Sequence, residues 1–129
     1  GMTLAVTLLS MVVGLASVMN TMLMSVFERN VEIGVLRAIG WKASRIRQMI
    51  LLEATLLGVA GGILVVLLAF LIREFLYFFP SIGGAIKIEI DLGAIAFTLI
   101  FATVVGALSG LYPAIRASRM KPTVAFRHQ

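Results

Sequence analysis

The chain contains no cysteine, so it can build no disulfide, thiolate metal site or cysteine nucleophile. Charge is scarce too: 13% of its 129 residues are Asp, Glu, Lys or Arg, against about a quarter in a soluble domain. It has one histidine, His128, beside the C-terminus, where a lone imidazole is solvated rather than catalytic. No Gly-x-x-x-x-Gly-Lys-Ser/Thr loop occurs, so these residues include no such cradle for ATP phosphates. No enzymatic activity is expected of the chain itself. Gly1-Met2-Thr3 runs into a charge-free stretch without the basic segment that opens a signal peptide. A chain opening inside such a run reads as a piece of a longer protein.

What the chain has in abundance is apolar residues: 60% of the total, with a mean hydropathy of +1.07. A transmembrane helix needs about twenty mostly apolar residues to cross roughly 30 Å of hydrocarbon. Three stretches qualify: Thr3–Phe27, Met49–Ile72 and Leu92–Ile115. Their polar residues, such as Thr7, Ser10, Ser17, Asn20 and Thr98, are too sparse to form the wet face of a soluble amphipathic helix. The expected fold is therefore all-α and integral to the membrane, a single domain over residues 1–129. It has three transmembrane helices (about 3–27, 49–72 and 92–115) joined by the segments 28–48 and 73–91, with a tail at 116–129.

The net charge of +5 does not point to nucleic acid, because the basic residues flank the apolar runs. Segment 28–48 carries Arg29, Arg37, Lys42, Arg45 and Arg47, and the tail carries Arg116, Arg119, Lys121 and Arg127. Segment 73–91 has only Arg73 and Lys87, against Glu74, Glu89 and Asp91. By the positive-inside rule, 28–48 and the C-terminus are cytoplasmic and 73–91 is the outer loop. That loop opens with Phe75, Tyr77, Phe78 and Phe79, aromatic residues suited to the headgroup belt. Gly83-Gly84 suggests a turn, and Ile86–Asp91 alternates at period two before the third run.

Segment 28–48 reads as an amphipathic helix, a turn and a second helix. Val31, Val35, Ala38 and Ile39 share a helical face, and Arg29 and Glu32 are spaced to pair across one turn. Gly40 is placed to end the helix in a left-handed cap, and Ser44 to cap the next helix, from Arg45 onward. Two roles suit this block equally: lying in the headgroups with its cations on anionic lipid, or docking a soluble partner. Glu53, the one ionisable residue within a span, is a functional candidate by position. Its nearness to the span's end favours an anchor paired with Arg47 or another cytoplasmic cation. Gly58 and Gly62, and Gly106 and Gly110, form Gly-x-x-x-Gly spacings for close helix packing.

Several of these residues also form an ordered pattern. Glu28-Arg29, Glu32-Ile33-Gly34-Val35-Leu36-Arg37-Ala38-Ile39-Gly40, Leu52-Glu53-Ala54 and Gly58, Gly61, Gly62 are followed by Tyr112-Pro113-Ala114, Arg116-Ala117 and Lys121–Arg127. In order and spacing this set resembles the FtsX-like permeases, the transmembrane subunits of ABC systems of the macrolide-export and lipoprotein-release type. It departs from the family pattern at Thr123 and Phe126. It also departs in extent, since family members usually have four spans, with a large outer domain between the first and second. The resemblance implies that 28–48 contains a coupling helix contacting an ABC ATPase, which would bind ATP-Mg where this chain binds no cofactor. The residues so implicated are Glu28, Arg29, Glu32, Gly34, Leu36, Arg37, Gly40, Trp41 and Lys42. It further implies a second permease copy, identical or not, and ATP-driven motion passed to an outer domain or partner across a bacterial plasma membrane. Two other functions fit the same residues: a regulator relaying ATPase state to an outer enzyme such as a cell-wall hydrolase, and a standalone membrane oligomer.

Overall fold

The computed structural model describes residues 1–79 and 89–121. The described residues form four helices: α1 (Met2–Glu28), α2 (Asn30–Ala38), α3 (Ala43–Phe78) and α4 (Leu92–Ser118). Three of them, α1, α3 and α4, are long and apolar enough to cross a membrane. The chain is thus an all-α membrane protein, with α2 as a short helix between the first two long ones. The Gly83-Gly84 turn, residues 86–88 of the alternating stretch, His128 and the closing motif beyond Lys121 lie outside the described residues.

The helices outrun the apolar stretches that nucleate them. At 1.5 Å per residue the 36 residues of α3 span about 54 Å, well beyond the hydrocarbon thickness. The helix begins at Ala43, ahead of the expected Arg45. It reaches Phe78, so Phe75, Tyr77 and Phe78 are helical rather than part of the outer loop. It stops where Pro80 imposes its restriction, with Phe79 in a non-helical conformation. At its start, Lys42 is extended and no side chain caps the helix. Ser44 is therefore not the cap; it already lies in the first turn, because the preceding turn closes early and delivers an extended residue at Lys42. α4 does have a side-chain cap, since the Ala94 N–H donates to Asp91 Oδ1 at 2.9 Å.

α3 and α4 pack against each other along their length, and α1 packs on α4. The buried core gathers at the end where α2 lies: Met22, Val26, Ile33, Ile46, Ile50, Ala54, Ala114 and Ala117. Elsewhere large apolar side chains such as Leu4, Leu8, Leu67 and Phe97 stand exposed, the surface a bilayer would cover. Hydroxyls inside the long helices turn back on their own backbone. Thr7, Ser10, Thr21, Thr55, Thr98 and Thr103 each donate to the carbonyl four residues earlier. Each polar group is thereby satisfied within its own helix, as a lipid environment requires.

Candidate functional site

The helix is interrupted between α1 and α2 at one residue, Arg29, the elbow of this part of the chain. This residue caps both helices, with φ −97° and ψ 15°, outside regular helix geometry. Its guanidinium Nη2 donates to Glu53 Oε2 on α3 at 2.7 Å and to Ser25 Oγ on α1 at 3.0 Å. The expected pairing of Arg29 with Glu32 is not formed. Arg29 sits at the break rather than inside α2, so the regular i, i+3 relation does not hold there, and Glu32 is exposed. Glu53 meets a cation from segment 28–48, but that cation is Arg29 and not Arg47.

The three residues from Leu52 to Ala54 diverge because successive helical positions are about 100° apart. Leu52 is exposed, Glu53 meets Arg29, and Ala54 is fully buried. Ala54 faces α4: its carbonyl oxygen lies 2.7 Å from where a Cβ on Gly106 would be, and its own Cβ blocks one on Gly110. A Cβ on Gly58 would come within 2.5 Å of the Ala102 carbonyl, and one on Gly62 within 3.0 Å of the Ala102 Cβ. At Gly58 and Gly106 the obstructing atoms are backbone, so only glycine permits this approach. Pro113, Ala114 and Ala117 continue the buried face of α4 toward the elbow. Arg116 is exposed, its guanidinium 4.8 Å from the centre of the Phe27 ring.

The turn after α2 is built around Gly40, whose φ is +100°. The Trp41 N–H donates to the Leu36 carbonyl and the Gly40 N–H to the Arg37 carbonyl, at 3.0 and 3.2 Å. This pair of hydrogen bonds is the Schellman arrangement, which satisfies carbonyls left open at a helix end. Arg37 reinforces the turn by donating from Nη1 to the Trp41 carbonyl, while Arg45 stacks over the Trp41 ring. The Asn30 Oδ1 and Arg37 Nε atoms are buried without a hydrogen-bond partner.

α2 buries Ile33 and Gly34 and turns Val31 and Val35 outward, with Ile39 exposed at its C-cap. Val31 is 50% exposed, Val35 43% and Ile39 70%. Ala38, Glu28, Glu32 and Lys42 are exposed on the same segment, whereas Leu36 and Trp41 are half-buried. Sequence reasoning placed Val31, Val35 and Ile39 on one face but not among the candidate site residues; the signal was their shared helical spacing. Ser25 was missed as a partner of Arg29 although its spacing of four residues was a signal, whereas only the folded arrangement brings Ala54 to Gly106. Among the described residues no group of three or more His, Asp or Glu could hold a metal.

A family model, FtsX-like permease C-terminal, matches residues 4–122. The chain belongs to the FtsX-like permease family. It is 38% identical over 125 residues to the macrolide export ATP-binding/permease protein MacB of Shewanella oneidensis, covering 97% of this chain and 19% of that protein. Proteins of the same name from Syntrophobacter fumaroxidans and Pasteurella multocida are 39% and 34% identical, over 98% and 97% of this chain and 17% and 19% of theirs. The chain therefore spans about a fifth of the length of these relatives.

In this FtsX-like permease the residues that carry the family pattern converge in space. Arg29 from the first motif meets Glu53 from the second, Ala54 meets Gly106 and Gly110, and Ile33 shares a core with Ala114 and Ala117. Among the described residues these parts of the pattern meet around Arg29 and the helix ends packed near it, while Gly58, Gly61 and Gly62 lie further along α3.

Proposed function

We propose that this permease domain couples ATP hydrolysis by an ABC ATPase to movement across a bacterial plasma membrane, and that the ATPase docks on α2 and the Gly40 turn. The observation that carries the reading is the outward apolar face of α2. A nine-residue helix is too short to be stable alone in water. Here the Schellman turn and the buried Ile33 hold it, leaving Val31, Val35 and Ile39 presented to a partner. Apolar anchors within a charged rim, here Glu28, Glu32 and Lys42, are the usual form of a helix-in-groove contact. The relatives' names join ATP binding to permease, and the basic residues around α2 favour the cytoplasmic side, where ATP is available. The ATPase would carry ATP-Mg, and a second permease copy would complete the transport unit. Gly58, Gly62, Gly106 and Gly110 serve to lock α3 to α4 within each copy.

The reading is tested in the full-length protein with its ATPase by cross-linking from a cysteine at Ile39 and by changing Val35 to Asp. We expect the cysteine to cross-link to the ATPase. Val35→Asp should leave membrane insertion intact, because the side chain is exposed, while uncoupling ATP turnover from the permease. A cysteine at Ile39 that reaches only lipid, with turnover unaffected by Val35→Asp, would show that α2 lies in the headgroups instead.

A further inference from the structure

α1 and α3 both lean on α4 and leave a groove of about 430 Å³ between them, lined by Ser17, Val18, Thr21, Leu57, Gly58 and Gly61 among others. Its hydroxyls do not bridge it: Thr21 donates to the Ser17 carbonyl of its own helix. Nothing fills the space beside Gly61, where an added Cβ would meet no atom within 4 Å. The groove is crossed only beyond its elbow end. Glu53 lies five residues, about one and a half turns, before Gly58 on α3, and there it meets Arg29. Among the described residues this is the one side-chain hydrogen bond joining two long-range partners; every other spans four residues or fewer.

From this placement we infer that the Arg29–Glu53 ion pair is a strap that carries movement of α2 into α3 and sets the width of the α1–α3 groove. Arg29 caps both α1 and α2, so a swing of α2 about the elbow displaces its guanidinium directly. Ile33 also ties α2 to the core, but an apolar contact is non-directional and tolerates sliding. A charged hydrogen bond at 2.7 Å fixes direction as well as distance. With side chains 34% and 38% exposed, the pair lies at the surface of the bundle and is not sealed into its core, so it can part without opening that core. The inference rests on the proposed docking of α2, and Arg29 and Glu53 are positioning residues within it.

The test uses the full-length protein with its ATPase in proteoliposomes, any cysteines elsewhere replaced, and cysteines introduced at Ser17 and Leu57 across the groove. The rate of disulfide formation is measured with and without ATP, and the Ile39 cross-link is recorded in parallel. Arg29→Gln and Glu53→Gln should each reduce the ATP-dependent change in rate about threefold to fivefold, the size a partly exposed ion pair supplies. The reversed pair Arg29→Glu/Glu53→Arg should recover most of it. Glu53→Asp keeps the charge, draws it back by one methylene and should give an intermediate response, even if the Gln variants insert poorly. A purely structural pair would shift the rate equally with and without ATP. An ATP response unchanged in the Gln and Asp variants while Ile39 still cross-links overturns the strap alone. Loss of the Ile39 cross-link in the unmodified background overturns the docking on which it rests.

Discussion

The two sides of α3 are built in opposite ways. Toward α4 the contact is backbone on backbone at Gly58 and Gly106 and against the Ala54 methyl at Gly110, leaving no room for another methyl group. Toward α1 there is an open groove and, among the described residues, a single ion pair beyond its end. In lipid there is no hydrophobic drive between helices, so close approach and dispersion hold them together. The first side has that approach and the second does not. The difference leads to an expectation: α3 and α4 should move as one unit, and any rearrangement of the domain should fall between that pair and α1 with α2.

The contrast can be broken most forcefully at the seam. Gly106→Ala places a Cβ against the Ala54 carbonyl and the Gly58 backbone. It should destabilise the domain by about 1–3 kcal/mol, the cost of overpacking, read as a lower thermal midpoint in detergent. Next comes Gly40→Val, which forces a β-branched residue to a φ of +100°. The left-handed penalty of roughly 1–2 kcal/mol should loosen the turn and lower cross-linking from Ile39. Smaller still is the effect of Glu53→Gln on stability, no more than about 1 kcal/mol in the same thermal assay, because the pair is partly exposed. Last is Gly61→Ala, one position from Gly62 but facing open space. It should be neutral, or stabilising by up to about 1 kcal/mol through better helix propensity. Equal loss of stability from Gly61→Ala and Gly106→Ala would erase the distinction between the two sides.

Much of this architecture is legible in the residues. Three apolar runs and a charged block give the helices, because hydrocarbon tolerates little else. The left-handed residue after α2 is legible too, since Gly40 follows the last periodic position and few other residues accept its φ. Arg29 is read less well. Local spacing offers Glu32, three residues away, while the partner in the fold is 24 residues distant. Spacing does separate Gly61 from Gly58 and Gly62: only the latter two are four residues apart, and they pack on α4 while Gly61 meets no neighbour. Which face of α2 is outward depends on burying Ile33 and Gly34, and that is decided by what α3 and α4 present to them.

The most direct test compares both sides of α3 in one molecule, with spin-label distances measured in the full-length protein with and without bound ATP. Labels at Tyr77 and Leu92, 87% and 81% exposed, report on α3 and α4. A label at Leu4 paired with Tyr77 reports on α1 and α3 at the same end of the bundle. The account predicts an unchanged Tyr77–Leu92 distance and a shifted Leu4–Tyr77 distance when ATP binds. A shift between Tyr77 and Leu92, with Leu4–Tyr77 held constant, would contradict it.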